Sequence, residues 1–153
     1  MRSVEPWVTA PLERFLEESS ARLTLLMTSA GQVVAQHGFA RSVDVMTAAA
    51  LGAAIMASTG EIARLVGESR FLSLVHQGIQ QHVFLSAFET SRGRWIGLVV
   101  FDGESTVGLV QLFFDRLVAE LAAAAPQEAP TQQVLPENFE RELNASLRAL
   151  FGR

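Results

Sequence analysis

Histidine is the side chain best suited to holding a metal or moving a proton near neutral pH, and this chain has three, His37, His76 and His82. His76 and His82 flank a tight turn. Neither shares a Glu-x-x-His or His-x-x-x-His spacing with a second ligand, so all three read as polar strand-end positions and no metal site is expected. Asp102 and Glu104 stand close together just before a helix start, where negative charge complements free N–H groups, and no cleft or third group marks them as an acid–base pair. Gly103-Glu104-Ser105-Thr106-Val107-Gly108 has the glycines of a phosphate-binding loop but not its lysine, and the chain contains no lysine anywhere. The same segment fails as a nucleophile elbow, because Val107 stands where glycine is required. Lysine's absence also removes Schiff-base chemistry. The absence of cysteine removes disulfides, thiol nucleophiles and thiolate zinc sites. The expectation is a protein with no catalytic residues of its own and no cofactor.

The elements around these residues say more than the residues do. Phe71–His76, a strand running to about Thr90, and Trp95–Phe101 are separated by Gln77-Gly78 and Ser91-Arg92-Gly93, the signals of two hairpins. Leu85 and Ala87 alternate with Phe84 and Phe88, so both faces of this meander are apolar and need helical cover. Upstream, Thr9-Ala10-Pro11 starts an amphipathic helix carrying Leu12, Phe15 and Leu16, and a hairpin turning at Ala30-Gly31 comes next. A long helix capped near Ser42 or Asp44 runs to about Val66, with Gly67 as its stop. A last domain helix spans residues 106–124, with Leu109, Leu112, Phe113, Leu117 and Leu121 at core spacing. The fold class expected is α+β: a five-stranded antiparallel sheet with helices on both faces, in the order α-β-β-α-β-β-β-α, plus a C-terminal tail helix.

Length, 49% apolar content and a net charge of −4 fit one domain over residues 10–124 and argue against a nucleic-acid partner, which would need a basic stripe. The opening MRSVEPW lacks the features of a signal peptide. The stretch 43–55, interrupted by Asp44 and Thr47, reads as too short to enter a bilayer, so a cytoplasmic protein without membrane insertion is expected. Pro126, Pro130 and Pro136 among Gln, Glu and Thr make residues 125–136 a linker. Beyond it, Phe139, Leu143, Leu147, Leu150 and Phe151 share one face of a helix over 137–152, too short to be stable alone and in need of a groove.

Two surfaces stand out. In the long helix Ala49, Ala53 and Ala57 recur every four residues beside Gly60 and Arg64, a flat strip against which another backbone could lie. Met46, Leu51, Ile55, Ile62 and Leu65 form the stripe expected to seat that helix on its sheet. Phe71, Leu72, Leu74, Val75 and His76 form an edge with no proline or lysine to block pairing, and a second copy meeting it across a two-fold axis would remove that hazard.

The element order, with DVMTAAALGAAIMASTGEIARLVGE in the middle and RWIGLVVFDGESTVGLVQLFFDRLVAEL at the end, resembles the roadblock (dynein light chain) family over about residues 10–124. LVGESRF, the VHQG after it and the tail helix look most like its bacterial members that regulate a Ras-like polarity GTPase. The resemblance implies a homodimer whose paired middle helices dock the GTP form of a small Ras-like GTPase, with the tail as a second contact. It also implies activation by reshaping the GTPase, without an arginine finger from Arg41, Arg92 or Arg94. The alternative it leaves is a roadblock scaffold or assembly module that regulates nothing. A small-molecule sensor of the related profilin-like kind would need a convergent polar pocket, which the sequence does not show.

Overall fold

A hairpin and a three-strand meander meet in one sheet. The computed structural model describes residues 2–3, 5–40, 43–126 and 144–150. In chain order the elements are β1 (Arg2–Ser3), α1 (Thr9–Ser19), β2 (Leu23–Thr28), β3 (Val33–Gly38), α2 (Val45–Leu65), β4 (Leu74–Gln77), β5 (His82–Thr90), β6 (Gly93–Phe101) and α3 (Val107–Ala124). The five expected strands pair antiparallel in the order β3-β2-β6-β5-β4, and β1 adds a two-residue ladder outside β3 that the sequence did not suggest. β2 and β6 pair over six residues at the centre, so strands far apart in sequence meet in the middle of the sheet.

Alternation along the strands divides the core in two. Leu26, Phe84, Phe88, Val99 and Phe101 face α1 and α3, whose Leu12, Phe15, Val110, Phe114, Leu117 and Leu121 are buried against them. Phe114 meets Phe15, Phe84 and Phe88 edge-on at 5.9, 5.2 and 5.7 Å between centroids. This hub sits directly over Gly97, where a methyl group would lie 2.3 Å from the Phe114 ring, so only glycine lets α3 approach the sheet. The buried stripe of α3 thus runs through Val110 and Phe114. Leu109 and Leu112, expected in the core, are exposed, because the helix is rotated to put Phe114 over the glycine.

Contacts distant in sequence lock α1 to α3 and to the end of β6. Arg14 pairs with Glu120 at 2.6 Å, Arg116 with Glu18 at 2.9 Å and Arg22 with Asp102 at 2.7 Å, while Ser105 Oγ donates to the Ser19 carbonyl.

The other face carries Leu23, Leu25, Met27, Leu85, Ile96, Leu98 and Val100, covered by one helix, α2, with Ala40 and Val43 from the segment before it. Asp44 caps α2, its Oδ1 accepting from Met46 and Thr47 N–H groups, and those bonds, the Thr47 one foremost, hold its carboxyl below the usual range. At the far end Gly67 takes φ +79°, with its N–H on Arg64 O and that of Glu68 on Ala63 O, a Schellman stop. With 21 residues, α2 runs beyond the 43–55 stretch and is long and apolar enough to cross a bilayer by length and composition. It is nonetheless seated on the sheet through Ala49, Gly52, Thr59 and Ala63.

Candidate partner-binding surface

How α2 sits decides which of its residues can meet a partner. The sheet beneath it is made of large side chains, so close packing requires small ones from the helix. A Cβ on Gly52 would lie 3.3 Å from Leu98 and 3.5 Å from Leu85 and Met27, and Ala49 is fully buried. Ala49, Gly52 and Ala63 therefore face inward. Ala49 is consequently not a surface residue, which removes it from the strip expected to meet a partner. Ile55 is half-buried, but Met46, Leu51, Ile62 and Leu65 do not seat the helix: they point outward, with Met46 and Leu65 exposed at 78% and 85%. The sequence showed an apolar and a small stripe without showing which lay beneath, because the volume of the opposing sheet face is not visible in the helix itself.

The remaining strip residues fall on one flank of α2. Ala53 is half-buried against the sheet, whereas Ala57 and Gly60 are exposed, and a Cβ on Gly60 would meet nothing within 4 Å. Ala53, Ala57 and Gly60 line a depression of about 170 Å³ whose other walls include Phe71, Arg70 and Arg94. Arg64 is exposed and paired with Glu61 at 2.8 Å. Residues from the middle helix, from the segment before β4 and from the β5–β6 hairpin thus converge, although they are well separated in sequence.

The edge strand is shorter than expected. The β4–β5 ladder runs from Leu74↔Leu85 to Gln77↔His82, so Leu74, Val75 and His76 are in the strand while Phe71 and Leu72 precede it. Where the ladder would continue, the Ser86 hydroxyl donates to the Leu72 carbonyl at 2.8 Å and takes the place of a strand bond. β4 ends the sheet, and among the described residues no strand pairs with its outer side.

The other chemically suggestive groups are occupied structurally. Asp102 accepts from the Glu104 N–H and from Arg22, and these hold its carboxyl below the usual range, the N–H contributing most. Such a carboxylate stays ionised and serves the turn into α3. His82 packs against Phe101 at 5.1 Å, and among the described residues no three His, Asp or Glu side chains cluster as metal ligands. Arg92 pairs with Glu5 at 3.3 Å and Arg94 with Glu89 at 3.4 Å, while Arg41 lies outside the described residues. In the tail, residues 144–150 are helical and exposed, including Leu147 and Leu150; Phe139, Leu143 and Phe151 lie outside the described residues.

Among solved structures, the gliding protein MglB from Thermus thermophilus is 30% identical, with 78% of this chain and 88% of that one covered at a TM-score of 0.68. The chain belongs to the roadblock family, on its MglB branch. Myxococcus xanthus MglB agrees at 25% identity, a TM-score of 0.70, and coverage of 79% of this chain and 96% of that one. A Roadblock/LC7 domain from Streptomyces avermitilis, at 16% identity and a TM-score of 0.62 over 71% of this chain and 89% of that one, shares the fold. No protein-family model matches the chain, and no curated protein sequence does. Within this roadblock fold, the outer edge of β4 and the outward face of α2 are left uncovered by the described residues.

Proposed function

We propose that this protein is a cytoplasmic, homodimeric GTPase-activating regulator of a small Ras-like (MglA-like) GTPase in bacterial polarity or motility, without a catalytic site of its own. The observation that carries the reading is the exposed apolar surface of α2. A 21-residue helix that buries only its small residues leaves Met46, Leu51, Ile62 and Leu65 in water, and a surface of that kind marks a protein contact. β4, carrying Leu74, Val75 and His76, with Phe71 and Leu72 beside it, supplies the dimer edge. Ala57, Gly60 and Arg64, with Ala53 at the back of the depression, supply the GTPase contact, and Gly60 leaves room for a backbone to approach closely. The tail stripe, Phe139 to Phe151, is a second contact. No metal or nucleotide is required of this chain, because the dimer would favour the GTPase conformation in which the GTPase's own residues are aligned.

The test is single-turnover hydrolysis by a GTP-loaded Ras-like GTPase, alone and with this protein. Acceleration that Ala57→Arg abolishes, with an unchanged melting curve, is the expected result. Binding without acceleration would instead make the protein a roadblock scaffold. Absence of both would end the reading.

A further inference from the structure

On the α1/α3 side of the sheet two helices do not cover every strand. α1 flanks α3 on one side, held by the Arg14–Glu120 and Arg116–Glu18 pairs. On the other side, toward β4, α3 has no helix beside it among the described residues, and a groove of about 650 Å³ runs there. Leu72, Ser73, Phe88, Phe114 and Val118 line it, and Gln111 and Asp115 stand on its α3 rim. A helix packed beside α3 would have its axis about 8–10 Å away, over the strands this groove leaves open.

We propose that this groove is the seat of the chain's own C-terminal helix, which docks there in cis, antiparallel to α3. The length of chain beyond α3 indicates the occupant. The helix ends at Ala124, about 9 Å beyond Val118 at 1.5 Å per residue. A linker over 125–136 has a root-mean-square reach of roughly 19 Å, enough to turn back beside α3. The helix that comes next, described over 144–150, exposes Leu147 and Leu150 on the stripe that includes Phe139, Leu143 and Phe151. Run antiparallel, Leu143 falls beside Val118 and Leu150 beside Gln111, because both spacings are about two turns. Arg141 and Arg148 then lie on the opposite face, in water. Tethering raises the local concentration of the tail to about the millimolar range, so a modest apolar contact suffices to hold it. A tail seated there must leave the groove to make its second contact with the GTPase, and this clause alone rests on the GTPase reading.

The absence of cysteine makes a direct test simple. Full-length chains carrying Gln111→Cys with Leu150→Cys, or Gln111→Cys with Arg148→Cys, are oxidised without any GTPase present. The expected result is an intrachain disulfide forming about tenfold faster in the first pair than in the second, since only facing positions bring Cα atoms within bridging distance. Equal rates, or a first pair that links into a dimer on a denaturing gel, would overturn cis docking. The second measurement is trypsin cleavage after Arg148. Phe139→Asp with Leu143→Asp, on the same stripe but away from the cleaved bond, should speed it about tenfold by releasing the tail. Cleavage at the wild-type rate would also overturn the proposal. Both readouts are blind to GTP hydrolysis, so their failure is distinct from failure of the regulator.

Discussion

The two faces of the sheet are built on opposite rules. Beneath α1 and α3, large aromatic side chains interlock and the helices carry their big residues inward, while beneath α2 the sheet supplies the bulk and the helix supplies alanine and glycine. The first face stabilises the monomer. The second holds its helix in place yet leaves Met46, Leu51, Ile62 and Leu65 in water. A single fold thus separates the residues that keep it folded from those that, on the proposed reading, meet a partner.

The comparison is broken most forcefully at Phe114. Phe114→Ala removes three ring contacts and opens a cavity over Gly97, and it should cost about 3–5 kcal/mol, a large part of a domain's usual stability. Chemical denaturation would measure it. A loss below about 1 kcal/mol would mean that this face is not the principal core.

Leu51→Asp with Ile62→Asp tests the other face. These side chains are 59% and 52% exposed, so the protomer's own stability should change by less than about 0.5 kcal/mol for each substitution. Sedimentation, however, should shift from dimer to monomer. Unfolding of the variant would show that α2's outer residues are core after all, and an intact dimer would place the interface elsewhere.

The smallest effect expected is a gain. Gly60 is helical and a Cβ there meets nothing, so Gly60→Ala should stabilise the protein by about 0.5–1 kcal/mol. If GTPase affinity falls at the same time, the glycine serves close approach. If affinity is unchanged, that flank of α2 is not the contact.

Most of the fold was legible because its signals are local. The hairpin at Ser91-Arg92, a cap for α2 at Ser42 or Asp44 and the Gly67 stop each depend on a few neighbouring residues, and the structure places the hairpin and the stop where the pattern does and settles the cap on Asp44. The illegible parts depend on contacts across the fold. The orientation of α2 follows from the size of Leu85, Ile96 and Leu98, on strands not yet reached when the helix is read, and the rotation of α3 follows from Gly97. The shortening of β4 follows from one serine hydroxyl on β5. The depression joining Ala57 and Gly60 to Phe71 and Arg94 was invisible for the same reason: no short stretch of sequence contains it.

The ties between α1 and the end of the domain also constrain when the protein can fold. Ser19, Glu18 and Arg14 find their partners at Ser105, Arg116 and Glu120, so none of these contacts can form on a ribosome until the last part of the domain has emerged. β2 likewise waits for β6. Such long sequence separations make for slow closure, and until α3 arrives Phe15, Phe84 and Phe88 have no Phe114 to shield them. A nascent chain stalled before residue 107 would therefore present an aromatic surface together with an open β4 edge, and its solubility in that interval would rest on chaperones, not on its own packing.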